Sequence, residues 1–535
     1  MKKVYLFICL ILFFNSGCKG KGHPVSEVKR DTIITKSNSY SELFLDSIKL
    51  ANFIKSEQPE DDDASKLRNF YNSRNYQHAW FNKNGLAEQA RAFWNLQQSY
   101  ITFSKDSLLL DTNLSKELEG FMNEDQAIDE SEAELAHTEL RLTLHFFKYV
   151  EHAYAGRVNP EELQWHIPRK KVNEIELLDS LIVNKGQHLE TWEPLNRQYG
   201  LLKDKLKDYY KLEQAGVQTV IELPKNQTYK KGDSSLLITQ IKRRLITAKD
   251  YQSDDTVGKY NIEFVSAVKQ FQKRHGLIQH GNIDAAFIKA LNIPTNSRIK
   301  QMLINMERMR WLPKEPPGNF ILANIPEFQL HVFENKRRLF SMDIIVGKSA
   351  NRTIIFNEML KHVVFSPYWN IPPSIVKSEI MPAIQRNVNY LQSKNMEQTG
   401  FSNGLPVIRQ KPGASNSLGK VKFIFPNNYN IYFHDTPAKS LFKEQKRMFS
   451  HGCIRLAQPE KLTLYLLRNQ PEWTGESIRK AMNASKEKWV KLKQPVPVVI
   501  TYFTAWVDRD GLLNFRNDVY GHDQKMAELL FASGN

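Results

Sequence analysis

Ser450-His451-Gly452-Cys453-Ile454-Arg455 is the stretch on which the reading of this chain turns, together with Tyr432-Phe433-His434-Asp435-Thr436, which places His434 nineteen residues before Cys453. The other two cysteines, Cys9 and Cys18, lie in an N-terminal leader, so the body holds one thiol and no partner for an intramolecular disulfide. Such a thiol is either buried filler or a nucleophile, and the surrounding imidazoles favour the nucleophile. A free cysteine is only partly ionised near neutral pH, so it needs a base, and His434 is the candidate if the two segments are neighbours. In extended geometry His451 shares a side with Cys453, whereas a turn at Gly452 swings the two apart. Gly452 permits a sharp backbone path that aims the Cys453 amide inward as an oxyanion donor. Arg455 has the spacing to meet a carboxylate through two donors and to lower the thiol pKa. One cysteine with histidines two and nineteen residues away lacks the spacing of a structural zinc site, so no metal is expected.

The leader reads Met1-Lys2-Lys3, an apolar run from Val4 to Phe14, then Asn15-Ser16-Gly17-Cys18. A basic start, a signal-length apolar stretch and small residues before a cysteine describe an export signal rather than a spanning helix. The ending resembles a bacterial lipoprotein processing site, which implies a lipoprotein-type signal over 1–17 and Cys18 as the lipidated residue tethering the body to a membrane. An ordinary signal peptide cut nearby and a retained anchor are the other readings, and all three place the body outside the cytoplasm. The chain of 535 residues carries a net charge of +16; losing Lys2 and Lys3 leaves about +14. That balance suits an anionic envelope polymer, and export argues against a genomic role, so no specific nucleic acid is expected.

At this length more than one domain is expected. Residues 18–65 are polar, with Glu60-Asp61-Asp62-Asp63 near their end, and read as a membrane-proximal linker with one helix around Tyr40–Phe53. Helical spacing then dominates: Leu67, Phe70 and Tyr71; Leu135, Leu142 and Phe146; Leu201, Leu206, Tyr209 and Leu212. This predicts an α-helical scaffold domain over 66–225. A compact unit over 228–295 follows, with helices carrying Ile238, Ile241 and Leu245, then Val268 and Phe271, then Ala285 to Leu291. A connecting helix is expected at 300–318. From Phe320 the alternation becomes strand-like, first through Leu330 and Val332, then from Leu339 to Val346. The Pro- and Asn-rich stretch from about Pro367 to Lys411 interrupts the strands and reads as a cap over the site.

The longer string carries a resemblance. Ser450 to Arg455, preceded by His434-Asp435-Thr436-Pro437, resembles the active-site signature of L,D-transpeptidases with the YkuD-type catalytic fold, and the chain is similar to their large periplasmic branch. Phe70-Tyr71 with Arg74 and Tyr76 to Trp80, Gly156-Arg157, Asn305 to Arg308 with Arg310-Trp311, and Asn324-Ile325-Pro326 share the resemblance. So do Arg409 to Gly413, Leu418 to Phe423 and Thr504-Ala505-Trp506. Ala267-Val268, Phe271-Gln272, Gly276-Leu277, Gly281 and Leu291-Asn292 resemble a peptidoglycan-binding domain. The implied fold class is multidomain α+β: a β-rich catalytic domain over 319–505 with a cap at about 357–411, a small helical peptidoglycan-binding-like domain, an α-helical scaffold domain and a C-terminal extension over 506–535.

By that resemblance Cys453 attacks the third, meso-diaminopimelyl residue of a tetrapeptide stem, expels D-alanine, and passes the acyl group to another stem as a 3→3 cross-link. His434 is then the base, His451 holds the site or stabilises the oxyanion, Gly452 keeps the turn open and Arg455 engages a stem carboxylate. Tyr432 lines the pocket, Tyr368 and Trp369 are candidate walls, and Trp369 reads equally well as cap core. The implied partners are donor and acceptor stems and cell-wall glycan; no cofactor is implied, and carbapenem acylation of Cys453 is. Relatives commonly have Thr-Pro where this chain has Thr353-Ile354, which alters a turn restraint rather than a reactive atom. Two other readings use the same features: hydrolysis of the acyl-enzyme by water, and a noncatalytic wall-binding scaffold. Retention of His434, His451, Cys453 and Arg455 argues against the scaffold.

Overall fold

The computed structural model describes residues 28–123, 133–216, 219–314 and 318–531; the leader and Cys18 lie outside them. The chain divides into two compact units. The first takes its described residues from the segments up to Asn95, Asp111–Lys148 and Glu174–Gln187; the second takes Leu96–Leu110, Tyr149–Asn173 and His188 onward. The helical stretch expected as one domain over 66–225 thus contributes to both.

Within the first unit, the Asp61–Asn72 helix buries Leu67, Phe70 and Tyr71, following the helical spacing of its apolar residues. Glu139, fully buried, accepts from Tyr71 Oη at 2.8 Å and from the Ala79 and Trp80 amides at 2.5 and 3.0 Å, so the carboxylate is satisfied where it is desolvated. The described part of the expected linker is folded rather than extended. Leu43, Leu45, Leu50 and Phe53 are buried, the Leu45 amide donates to Tyr76 O at 2.7 Å, and the helix runs Ser47–Glu57. Burial of these apolar side chains outweighs the polar composition that suggested a spacer.

In the second unit, helices Leu236–Thr247, Ile262–Arg274 and Ala285–Leu291 are capped by Ser235, Asn261 and Asp284, each of which accepts from a first-turn amide. They enclose Ile238, Ile241, Leu245, Phe264, Val268, Phe271 and Phe287. The connecting helix runs Thr295–Arg310, starting earlier than expected.

The strands that follow form a closed ring. In order these are Val421–Ile424, Phe433–His434, Ile454–Leu456, Arg337–Gly347, Gln329–Glu334, Phe320–Asn324, Lys488–Thr501 and Ile355–Phe365; the last pairs back to Val421–Ile424. Closure leaves this eight-stranded barrel without a free edge. The turn between Gln329–Glu334 and Arg337–Gly347 uses Asn335 and Lys336, both at positive φ (49° and 64°), the geometry a tight hairpin needs. The short Trp165–His166 strand extends the sheet beside Ile355–Phe365.

The cap begins later than the expected 357. Residues 357–365 belong to the barrel wall: 357–360 and 362–365 pair with Lys488–Thr501, 362–365 pair also with Val421–Ile424, and Leu360 and Val363 to Phe365 are fully buried. The cap itself is a three-stranded sheet of Trp369–Asn370, Leu405–Gln410 and Met396–Ser402. Its own core is Ile371, Ile375, Val376, Ile380 and Ile408. Asn416 Nδ2 donates to Pro367 O (3.0 Å) and Lys411 O (2.9 Å), clipping the two ends of the insertion together.

Residues after 505 are integrated with the barrel and the Thr295–Arg310 helix. Ala505–Val507 pairs with Leu513–Phe515, and Asp523, on the His522–Phe531 helix, accepts from Arg308 Nη1 at 2.6 Å.

Candidate active site

Two barrel strands place the reactive residues. Phe433–His434 and Ile454–Leu456 run parallel, with Phe433 opposite Ile454 and His434 opposite Arg455. The Ile454 amide donates to Tyr432 O at 3.2 Å, continuing the pairing one residue outward. Side chains alternate across a strand, so Phe433 and Ile454, both fully buried, point into the barrel core. Tyr432, His434, Cys453 and Arg455 therefore share the opposite face.

His434 is 4% exposed, and its Nδ1 lies 2.5 Å from Asp435 O. A carbonyl accepts only, so Nδ1 carries the proton and Nε2 of the neutral ring keeps its lone pair. Asp435 is itself held: its amide donates to Val421 O at 2.9 Å, and its carboxylate accepts from the Lys420 amide at 2.9 Å and Lys439 Nζ at 2.5 Å. Burial first, then the Arg455 charge, brings the imidazole pKa down to about 3. Burial pushes the Cys453 thiol up to about 11; hydrogen bonds from the Tyr432 backbone and side chain, and the Arg455 charge, act the other way but are outweighed. The expected lowering by Arg455 is met in sign only. At neutral pH the thiol keeps its proton and the imidazole is neutral, so the two do not form a preformed ion pair.

The partly exposed Cys453 thiol donates to Asn430 O at 3.4 Å. Asn430, at φ 54°, was not among the expected site residues. Gly452 sits at φ 115°, a conformation L side chains rarely adopt, which explains a glycine there. Ser450 Oγ accepts from the Gly452 amide (3.2 Å) and donates to Cys453 O (2.5 Å), while Thr353 Oγ1 donates to Gly452 O (2.7 Å). Thr353 was noticed in the sequence only for the residue that follows it.

His451 turns toward the cap. Its Nε2 lies 2.8 Å from Glu379 Oε1, on the wide helical turn Val376–Ile380, a contact with no local sequence signal. Burial pushes the Tyr432 phenol well up, with Cys453 and Trp369 among the neighbours that act on it, and Trp369 also packs on the cap core. Tyr368 lies beneath the Arg409 guanidinium, 4.2 Å from ring centre, and its amide donates to Glu487 Oε1 at 2.9 Å. Arg455 is half-buried, its Nε is buried without a hydrogen-bond partner, and burial lowers its pKa. Among the described residues no salt bridge neutralises it.

The comparisons with known proteins fall on these segments. Residues 318–483 match the model of the L,D-transpeptidase catalytic domain (YkuD), residues 65–206 that of a scaffold domain, and residues 234–291 that of a putative peptidoglycan binding domain. A protein of Haemophilus influenzae described as a putative L,D-transpeptidase is 26% identical over 311 residues, covering 54% of this chain and 63% of its own length. The chain thus spans less than two thirds of that relative. A crystal structure of an L,D-transpeptidase from Stackebrandtia nassauensis is 15% identical, covering 52% of this chain and 97% of its own, with a TM-score of 0.23. One from Mycobacterium smegmatis is 13% identical, covering 34% and 58%, with a TM-score of 0.20. The chain carries an L,D-transpeptidase catalytic domain of the YkuD type, preceded by a helical scaffold domain and a peptidoglycan-binding-type domain.

Proposed function

We propose that the protein is an L,D-transpeptidase that forms 3→3 cross-links between peptidoglycan stems through a thioester on Cys453. The observation that carries this reading is the single face shared by Tyr432, His434, Cys453 and Arg455, with the His434 tautomer held by Asp435 O. Because thiol and imidazole are both neutral at rest, His434 Nε2 takes the thiol proton as sulfur attacks the carbonyl of the third stem residue. The C–N bond to D-alanine then breaks, the departing amine receives that proton, and the thioester remains. The amine of a second stem attacks the thioester carbonyl, the C–S bond breaks, and its surplus proton returns through His434 to sulfur. Arg455, charged and without an acidic partner among the described residues, engages a stem carboxylate through its planar fork. Tyr432 and Trp369 form the wall on the cap side, and His451 couples the nucleophile loop to the cap.

The same reading places the protein in the cell envelope. The peptidoglycan-binding-type domain holds it near wall glycan, and a lipid on Cys18 tethers it to a membrane. Intact-mass measurement of protein from detergent extracts, against Cys18→Ala, tests the lipid.

The chemistry is tested by incubating the protein with a disaccharide-tetrapeptide containing meso-diaminopimelate, with Cys453→Ala alongside. A Cys453-dependent dimer linked 3→3, with loss of D-alanine, is the expected product by mass spectrometry. Tripeptide without dimer would make the enzyme a hydrolase, and no product with no acyl adduct would leave only the scaffold role.

A further inference from the structure

Behind Cys453 lies a buried ring of three hydrogen bonds, with a fourth leading from it to Gly452, that the mechanism above does not use. Thr353, 1% exposed, accepts from the Gly347 amide at 2.9 Å through Oγ1 and donates from the same oxygen to Gly452 O at 2.7 Å. Tyr520, 3% exposed, accepts from the Thr353 amide at 3.3 Å and donates to Gly347 O at 2.7 Å. Tyr520 is in turn fixed from behind, its amide donating to Tyr502 Oη at 2.8 Å, and Tyr502 Oη donating to Asp518 at 2.6 Å. Gly347 has no room for a side chain: a Cβ there would lie 2.1 Å from Asn351 O.

The consequence follows from the planarity of one peptide bond. Gly452 O and the Cys453 N–H belong to the same trans unit and point in opposite directions. Gly452 sits at φ 115°, where a glycine backbone has freedom to rotate that plane. Thr353 draws the carbonyl into the protein interior, which turns the Cys453 amide away from Thr353. Glycine supplies the permitted conformation, and Thr353 selects one orientation within it.

We propose that Thr353 and Tyr520 are positioning residues that hold the Cys453 amide as an oxyanion donor. Resting on the transpeptidase reading, this assigns a part in acyl transfer to a residue beyond 483, where the catalytic-domain match ends. The C-terminal segment is then part of the acylation machinery rather than an appendage.

The test separates oxyanion stabilisation from thiol reactivity in the whole protein. Acylation by imipenem builds negative charge on a carbonyl oxygen, whereas alkylation by iodoacetamide displaces iodide at a saturated carbon and builds none. Both are followed at Cys453 by intact mass, with melting temperature recorded for each variant. Thr353→Val and Tyr520→Phe should slow acylation by roughly tenfold or more, short of the about hundred- to thousandfold loss when an oxyanion donor is removed outright because here the donor is only misaligned, while alkylation changes by less than about twofold. Thr353→Ser, which keeps the hydroxyl, should restore acylation, and Tyr520→Phe keeps the ring packing should Thr353→Val fail to fold. Equal loss of both reactions, no loss of either, or Thr353→Ser as slow as Thr353→Val would each overturn the assignment. Wild-type protein that is alkylated but acylated by neither imipenem nor tetrapeptide would overturn the transpeptidase reading itself.

Discussion

His451 Nε2 lies 2.8 Å from Glu379 Oε1, joining the loop that carries Cys453 to the cap across 72 residues of chain. The carboxylate side chain is 52% exposed and the imidazole 35%, so the pair adds little to stability, about 1 kcal/mol at most. Its role is to set how the cap meets the loop. Glu379→Gln should leave the melting temperature within about 2 °C of wild type and raise KM for the tetrapeptide donor up to about fivefold, with kcat unchanged. A fall in kcat at constant KM would move the pair into the chemical step.

Arg455 faces His434 across the parallel strand pair and lacks an acidic partner among the described residues. Lysine retains the charge but loses the planar two-donor fork. Arg455→Lys is expected to raise KM for a stem peptide by about tenfold, equivalent to about 1.4 kcal/mol, with iodoacetamide reactivity of Cys453 little changed. Steady-state kinetics on paired substrates, with and without the terminal carboxylate, make the measurement.

The two active-site pKa values give opposite limbs. His434, at about 3 when folded against 6.5 for an ordinary histidine, binds fewer protons folded than unfolded between those values. Its contribution to stability is therefore lost as pH falls from about 6.5 to 3. Cys453, at about 11 against 9.0, holds its proton longer when folded, so stability is lost as pH rises from about 9 to 11. Acylation by imipenem needs neutral His434 and should stay level between pH 7 and 5. A rate that halves near pH 6.5 would show that burial does not depress the imidazole.

Gly452→Ala isolates backbone strain from steric conflict. A Cβ at Gly452 would approach nothing closer than Arg352 O at 3.7 Å, yet φ is 115°. The expected cost is about 1–3 kcal/mol from conformation alone, with acylation falling further because the plane before Cys453 must turn. Gly347→Ala, whose Cβ would meet backbone oxygen, should destabilise more. Denaturant titration of both variants decides the order.

Glu307 is fully buried, accepts from the Arg157 and Val158 amides, and pairs with Arg310. Arg310 also donates to Ala153 O at 2.9 Å and Tyr199 Oη at 3.1 Å. Glu307→Ala leaves a buried guanidinium without its counter-ion and should cost about 3–5 kcal/mol. The fraction that remains folded should keep its acylation rate, read by active-site titration against the denaturation curve.

What lay open in the sequence was whatever a short window contains. The helices around Ile238, Val268 and Phe287 follow from apolar spacing a few positions apart. Cys453, His434, Gly452 and Arg455 were legible because reactive residue types cluster in two short strings. Residues 357–365 misled because composition changes near Pro367, whereas the boundary lies where the barrel strand stops pairing, at Phe365. The linker misled for a related reason, since polar residues on its surface masked the few apolar ones that pack.

Tertiary structure alone decided the pairing of Phe433 with Ile454, which sets His434 and Cys453 on one face. It also brought Thr353 to Gly452 across 99 residues and Tyr520 to Gly347 across 173. A hydroxyl that holds a carbonyl at such separation leaves no periodic trace, because its position depends on barrel closure rather than on its neighbours in the chain. For the same reason the resting protonation of Cys453 and His434 was settled by burial, a property of the whole fold, against the sign that the neighbouring charge alone suggests for the thiol.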